Sequence, residues 1–131
     1  MNLVEHIRRH MAWSRATFGP HPRTEGILRH IEKEIEEVRK DAGLGYQVLP
    51  EATDILILTL DLMWRDTERH LRAQLLQMSD KDFAAFAARH IPEMIVAQLQ
   101  EKQAINEHRT WPDWRSRSES EPIEHDRSKD A

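Results

Sequence analysis

Residues 51–64 read "EATDILILTLDLMW", a run apolar enough for the middle of a buried helix, yet carrying Glu51, Asp54 and Asp61. Burying a carboxylate costs several kcal/mol unless something compensates the charge. At about 100° per residue, Glu51, Asp54, Leu58, Asp61 and Arg65 fall within roughly 80° of one another on a helix. Ile55, Leu56, Ile57, Leu60, Leu62, Met63 and Trp64 cover the other faces. The acids therefore form one stripe on an otherwise greasy helix, and the fold and the function both turn on what faces that stripe.

Working outward, no segment alternates apolar and polar residues as a strand would. Glycine is confined to positions 19, 26, 43 and 45, which leaves long windows open to helix. Five helical segments are expected in an all-α bundle. The first spans about 2–14, before the loop "TFGPHPRT". The second spans about 25–41, with Thr24 as N-cap and Gly43 beyond its end. The third starts after Pro50 and runs to about 77. "SD" at 79–80 caps a fourth, ending near 90, and Pro92 in a first turn opens a fifth that ends near Arg109. Residues 1–115 then form the domain, and 116–131 a charged, mobile tail.

The chain has 131 residues, enough for one domain with a real core, and a formal charge of −4 that gives no footprint for duplex nucleic acid. It has no cysteine, so any metal is held by oxygen or imidazole. The longest nearly apolar run, 55–64, is half of what a bilayer requires. The N-terminus carries charges throughout, unlike a secretory signal. A cytoplasmic protein without a membrane partner is expected.

The second helix, "GILRHIEKEIEEVRKD", holds a matching stripe. Ile27, Ile31, Ile35 and Val38 mark its core face, and His30, Glu34, Glu37 and Asp41 border it. Glu36 is paired at i, i+4 with Lys40, whereas Glu37 is followed by a further acid. Two consecutive helices thus present acid pairs, Glu34-x-x-Glu37 and Glu51-x-x-Asp54, and the short connection makes them antiparallel neighbours. Four such carboxylates suit a hard cation, Mg²⁺ or Mn²⁺. The plainer alternative places Glu51 and Asp54 at a helix start, where acids favour the dipole. Asp61 is a further ligand, an orienting group, or the partner of Arg65. His30 beside the stripe suits a hydrogen-bonding role. A di-iron site is disfavoured, because no glutamate is followed three residues later by histidine. Farther on, Lys102, Asn106 and Arg109 share a helix face and can bind phosphate, or simply end a solvated helix.

"MAWSRATFGPHPRTEGILRHIEKEIEEV", "DILILTLDLMWR" and "KQAINEHRTWPDWR" resemble the MazG-like all-α nucleotide pyrophosphohydrolases, in particular their dATP/dGTP pyrophosphohydrolase branch. That branch is often phage-encoded and includes the MazZ enzymes of phages that replace adenine with 2-aminoadenine. The resemblance covers about residues 3–65 and 95–127; nothing in 66–94 matches, and an oligomer interface or lid is expected there. It implies hydrolysis of a purine deoxynucleoside triphosphate, dGTP first and dATP next, to the monophosphate and pyrophosphate. In a phage the location would be the host cytoplasm, with dGMP feeding 2-aminoadenine nucleotide synthesis. Two or three Mg²⁺ ions on Glu34, Glu37, Glu51 and Asp54 are implied, with Glu37 as the choice of base. Lys102, Asn106 and Arg109 would hold phosphates. Trp13 and Phe18 would stack on the base, unless they are core, and Ser14 and Thr17 would meet its edges. A homodimer or homotetramer sharing its core is implied as well. The rival readings are a non-catalytic helical adaptor and a house-cleaning pyrophosphohydrolase for another nucleotide.

Overall fold

The computed structural model describes residues 2–129. Among them are four α-helices and no strand: α1 Leu3–Phe18, α2 Thr24–Gly43, α3 Leu49–Gln74 and α4 Asp80–His108, with single 3-10 turns at Trp114–Ser116 and Arg127–Lys129. Two compact units divide the chain, one through Val96 and one from Ala97 onward. The all-α expectation is borne out.

Local chemistry sets the ends. Asn2 caps α1, its side chain accepting from the Glu5 amide at 2.9 Å. No breaker follows until Gly19, whose φ of 88° stops the helix at Phe18 rather than at the expected residue 14. Arg23 precedes α2 in a left-handed conformation (φ 56°, ψ 25°) and offers no side-chain cap, so Thr24 is the first helical residue and not the cap. α3 begins at Leu49 rather than after Pro50, and Pro50 sits in its first turn, where its missing N–H costs nothing. At the far end of α3, Arg72 donates to the carbonyls of Leu75 (3.0 Å) and Met78 (3.2 Å). Ser79 then caps α4 through the Asp82 amide at 3.1 Å.

The fourth and fifth expected helices are one. Pro92 lies inside α4 and is buried. Proline has no N–H to give to the carbonyl four residues earlier, here Ala88. Arg8 of α1 supplies that donor instead: its Nε reaches the Ala88 carbonyl at 2.9 Å and its Nη2 the Arg89 carbonyl at 3.3 Å. The ladder is mended from outside, and the helix continues.

The buried core joins α1, α3 and α4 through Ile7, Met11, Trp64, Phe83, Ala87, Ile91 and Ile95. The segment 66–94, expected to be a lid or an interface, therefore supplies much of the core. α2 packs on α3 but contributes one buried apolar residue, Ile27; Ile31 and Val38 are half-buried and Ile35 is 37% exposed. Leu44, Tyr46, Leu49 and Leu56 are each more than half exposed.

In the second unit, the Trp111 indole donates to the Asn106 carbonyl at 2.7 Å, closing the end of α4. The segment expected to be a tail returns to this corner: the Asp126 amide donates to the Thr110 carbonyl at 2.7 Å, and the His125 ring meets Trp111 edge-on. Residues 130 and 131 of that segment lie outside the described residues.

Candidate active site

α2 and α3 run antiparallel: Asp54 near the start of α3 acts on Glu34 late in α2, while Arg65 farther along α3 bonds the loop that leads into α2. Between them and α1 lies a cavity of about 330 Å³, within the range that holds small ligands. α1 contributes His10, Trp13, Ser14 and Phe18 to its wall. α2, with the residue before it, contributes Arg23, Gly26, Ile27, His30 and Glu34, and α3 contributes Asp54, Ile57, Leu58 and Asp61.

At one end stand the paired acids. Glu34 is held above the usual glutamate range, first by burial, then by the charges of Glu37 and Asp54; His30 at 3.4 Å offsets this only in part. One carboxylate oxygen of Glu34 and one of Glu51 are buried with no hydrogen-bond partner. Buried polar atoms are rarely left so, and an orphan invites an ion as its explanation. Glu37 and Asp54 are exposed. Among the described residues no three histidine, aspartate or glutamate side chains converge closely enough to cage an ion.

Asp61 has a different fate. Its Oδ1 accepts from the Ser14 hydroxyl and, at 2.8 Å, from the Trp64 indole; its Oδ2 accepts from Arg65 Nε at 2.9 Å. Burial pushes Asp61 up, but these three hydrogen bonds and the Arg65 charge outweigh it and leave the carboxyl below its ordinary value. Asp61 is thus the partner of Arg65. Arg65 extends the network, donating to the carbonyls of Gly19 (2.7 Å) and His21 (2.6 Å) and to the Ser14 oxygen (2.9 Å). His10 lies 3.3 Å from Asp61, and burial lowers its pKa more than Asp61 raises it.

The opposite end of the cavity is aromatic. Trp13 and Phe18 meet edge to face, with centroids 5.5 Å apart, and remain 53% and 47% exposed. With about half of each side chain exposed, these rings are not core. Ser14 is fully buried with its hydroxyl hydrogen committed to Asp61. Thr17 is exposed and absent from the cavity wall. Sequence reasoning passed over His10, Gly26 and Arg23. Only His10 left a signal, four residues before Ser14 on the same helical face.

Lys102, Asn106 and Arg109 belong to the second unit. Lys102 is exposed; Arg109 Nη1 donates to the Asn106 side-chain oxygen at 3.0 Å, and both residues are half-buried.

The all-helical frame, without strands among the described residues, is that expected of the MazG-like all-α class. The particular family follows from direct comparison: the model of the dATP/dGTP pyrophosphohydrolase family matches residues 6–130, and the chain belongs to that family. No curated protein and no solved structure gives a significant match. None of the described helices is long and apolar enough to cross a membrane.

Proposed function

We propose that the protein hydrolyses purine deoxynucleoside triphosphates between the α- and β-phosphates, dGTP first and dATP next, with Mg²⁺ or, in its place, Mn²⁺. The observation that carries this is the pair of buried, unpartnered oxygens on Glu34 and Glu51, with a Glu34 that burial first and its acidic neighbours second destabilise as an anion. An all-oxygen donor set of this kind fits a hard divalent cation. Glu34, Glu37, Glu51 and Asp54 would hold two or three such ions, which supply Lewis acidity and neutralise charge on the triphosphate.

The chain's own residues do the rest. Glu37, exposed at the acid end, takes the proton of the attacking water. His30 braces Glu34 through their 3.4 Å contact. Trp13 and Phe18 offer the purine a stacking surface, and the cavity between the two ends orients the nucleotide. The phosphate-binding roles of Lys102, Asn106 and Arg109 are carried over from the family resemblance. In a phage, the dGMP released would enter 2-aminoadenine nucleotide synthesis.

The uncovered Leu44, Tyr46, Leu49 and Leu56 support assembly into a homodimer or homotetramer, since apolar patches of this kind mark interaction surfaces. Light scattering giving a monomer at working concentration overturns that part. Activity is tested by incubating the protein with each nucleoside triphosphate and Mg²⁺ and separating the products. Release of dGMP and pyrophosphate from dGTP is expected. Preferential dATP cleavage would keep the reaction and replace the substrate, and orthophosphate as the product would refute the cleavage position.

A further inference from the structure

Arg23 is the one non-glycine residue with positive φ among the described residues. That conformation is costly for a residue with a Cβ, and such strain persists where the surroundings enforce it, typically at functional sites. Here the surroundings are identifiable. Arg65, locked to Asp61, holds the carbonyls of Gly19 and His21, and the Arg23 carbonyl accepts the Ile27 amide at 2.9 Å. The loop is pinned on both sides of Arg23.

What the strain achieves is placement. Arg23 belongs to the cavity wall and is the only arginine or lysine there, and its guanidinium has no hydrogen bond or ion pair within the described residues. It is eleven residues before Glu34, a rise of about 16 Å along a helix. It therefore stands well away from the acids, along with Phe18 and Trp13 at the aromatic end. Between them Gly26 presents backbone alone to the cavity, with no atom within 4 Å of where its Cβ would be. A flat ring can approach α2 closely at that point.

We infer that Arg23 reads the edge of the bound base and makes the site favour guanine over adenine. This rests on the purine nucleotide reading above and adds the residue that selects between the purines. A guanidinium is a fork of donors with no acceptor. Guanine presents two acceptors, O6 and N7, to such a fork, whereas adenine presents an acceptor and a donor. The Arg23 fork matches the first and meets donor against donor in the second.

The test is calorimetric binding of dGMP and dAMP without divalent cations, so that it does not depend on turnover. Tighter dGMP binding is expected for the wild-type protein. Arg23→Ala and Arg23→Gly should each cut the dGMP:dAMP affinity ratio by about tenfold, the size of one bidentate base contact. The glycine variant keeps the left-handed turn without strain, so its loss isolates the guanidinium from the backbone. Arg23→Lys keeps charge without the fork and should lose most of the ratio; it also serves if the smaller variants fail to fold. Gly26→Ala should raise the melting temperature, since alanine favours helix, while weakening both nucleotides. The inference is overturned by equal weakening of both nucleotides in the Arg23 variants, by a wild-type protein without guanine preference, or by unchanged binding in Gly26→Ala. A guanine preference that depends on Arg23, in a protein that hydrolyses neither triphosphate, would uphold the inference while removing the proposed reaction.

Discussion

Two carboxylates in the wall of one cavity have opposite circumstances. Asp61 is the more deeply buried, yet three donors surround it, one of them the Arg65 guanidinium, and its pKa falls. Glu34 has one weak partner in His30, two acidic neighbours and an orphan oxygen, and its pKa rises. Depth of burial alone would order them the other way. The difference lies in partners: the chain satisfies the acid that organises its structure and leaves unsatisfied the acid proposed to hold the metal. This is the pattern expected where a site draws on stability for chemistry.

The largest effect should come from breaking the satisfied acid. Asp61→Ala leaves Arg65 charged and 2% exposed without its carboxylate. Removing one member of a buried pair costs about 3–5 kcal/mol, so denaturant unfolding should shift strongly, and a change below about 1 kcal/mol would return Asp61 to the surface-like acids. The pH dependence has a definite sign. Because the folded pKa lies below the ordinary 3.8, the contribution of Asp61 is present above that value and is lost as pH falls through the lower, folded pKa. Melting temperatures of the wild type and Asp61→Ala should therefore converge in strong acid; a gap that persists there would mean the Asp61 charge is not what stabilises.

Glu34→Gln probes the unsatisfied acid and should split function from stability. Several kcal/mol of transition-state stabilisation goes with a metal-ligating carboxylate, so turnover should fall about a thousandfold. In metal-free buffer at neutral pH the same variant should melt higher than the wild type. The sign follows from the raised pKa: the folded state binds the proton more tightly, so stability falls as pH rises from the unfolded value of 4.5 through the folded one. Retained turnover, or a lower melting temperature, would erase the contrast with Asp61. Adding Mg²⁺ should then stabilise the wild type, by about 2.7 kcal/mol at a hundred times the Kd, and the variant much less. Equal stabilisation of both would move the ion elsewhere.

What was readable in the sequence divides along the same line. Helical periodicity exposed both acid stripes, because side chains on one helix keep a fixed angular order whatever packs on them. The spacing of Asp61 and Arg65 was equally visible as an i, i+4 pair. Ser14 as the second partner of Asp61 was not, since it arrives from α1, 47 residues away in sequence. Arg23 gave no signal: a left-handed arginine is imposed by a loop held in place by Arg65, and nothing in "HPRTE" encodes that. Trp13 and Phe18 were ambiguous between core and site because hydrophobicity describes a side chain and not which neighbours cover it.

Pro92 shows the same limit at the level of the backbone and gives the smallest expected effect. A local rule places proline at helix starts, and by that rule "HIPEM" opens a new helix. The rule fails because the freed Ala88 carbonyl finds a donor in Arg8, eighty residues earlier in the chain. Arg8→Ala should therefore cost about 1 kcal/mol, the net worth of a typical hydrogen bond, since water reaches the carbonyl once the side chain is gone. The effect should depend on the proline. In Pro92→Ala the ladder regains its own donor at position 92, and Arg8→Ala made on that background should cost less. A double-mutant cycle on thermal unfolding measures the difference. Full additivity of the two substitutions would show that α4 passes Pro92 without help from Arg8.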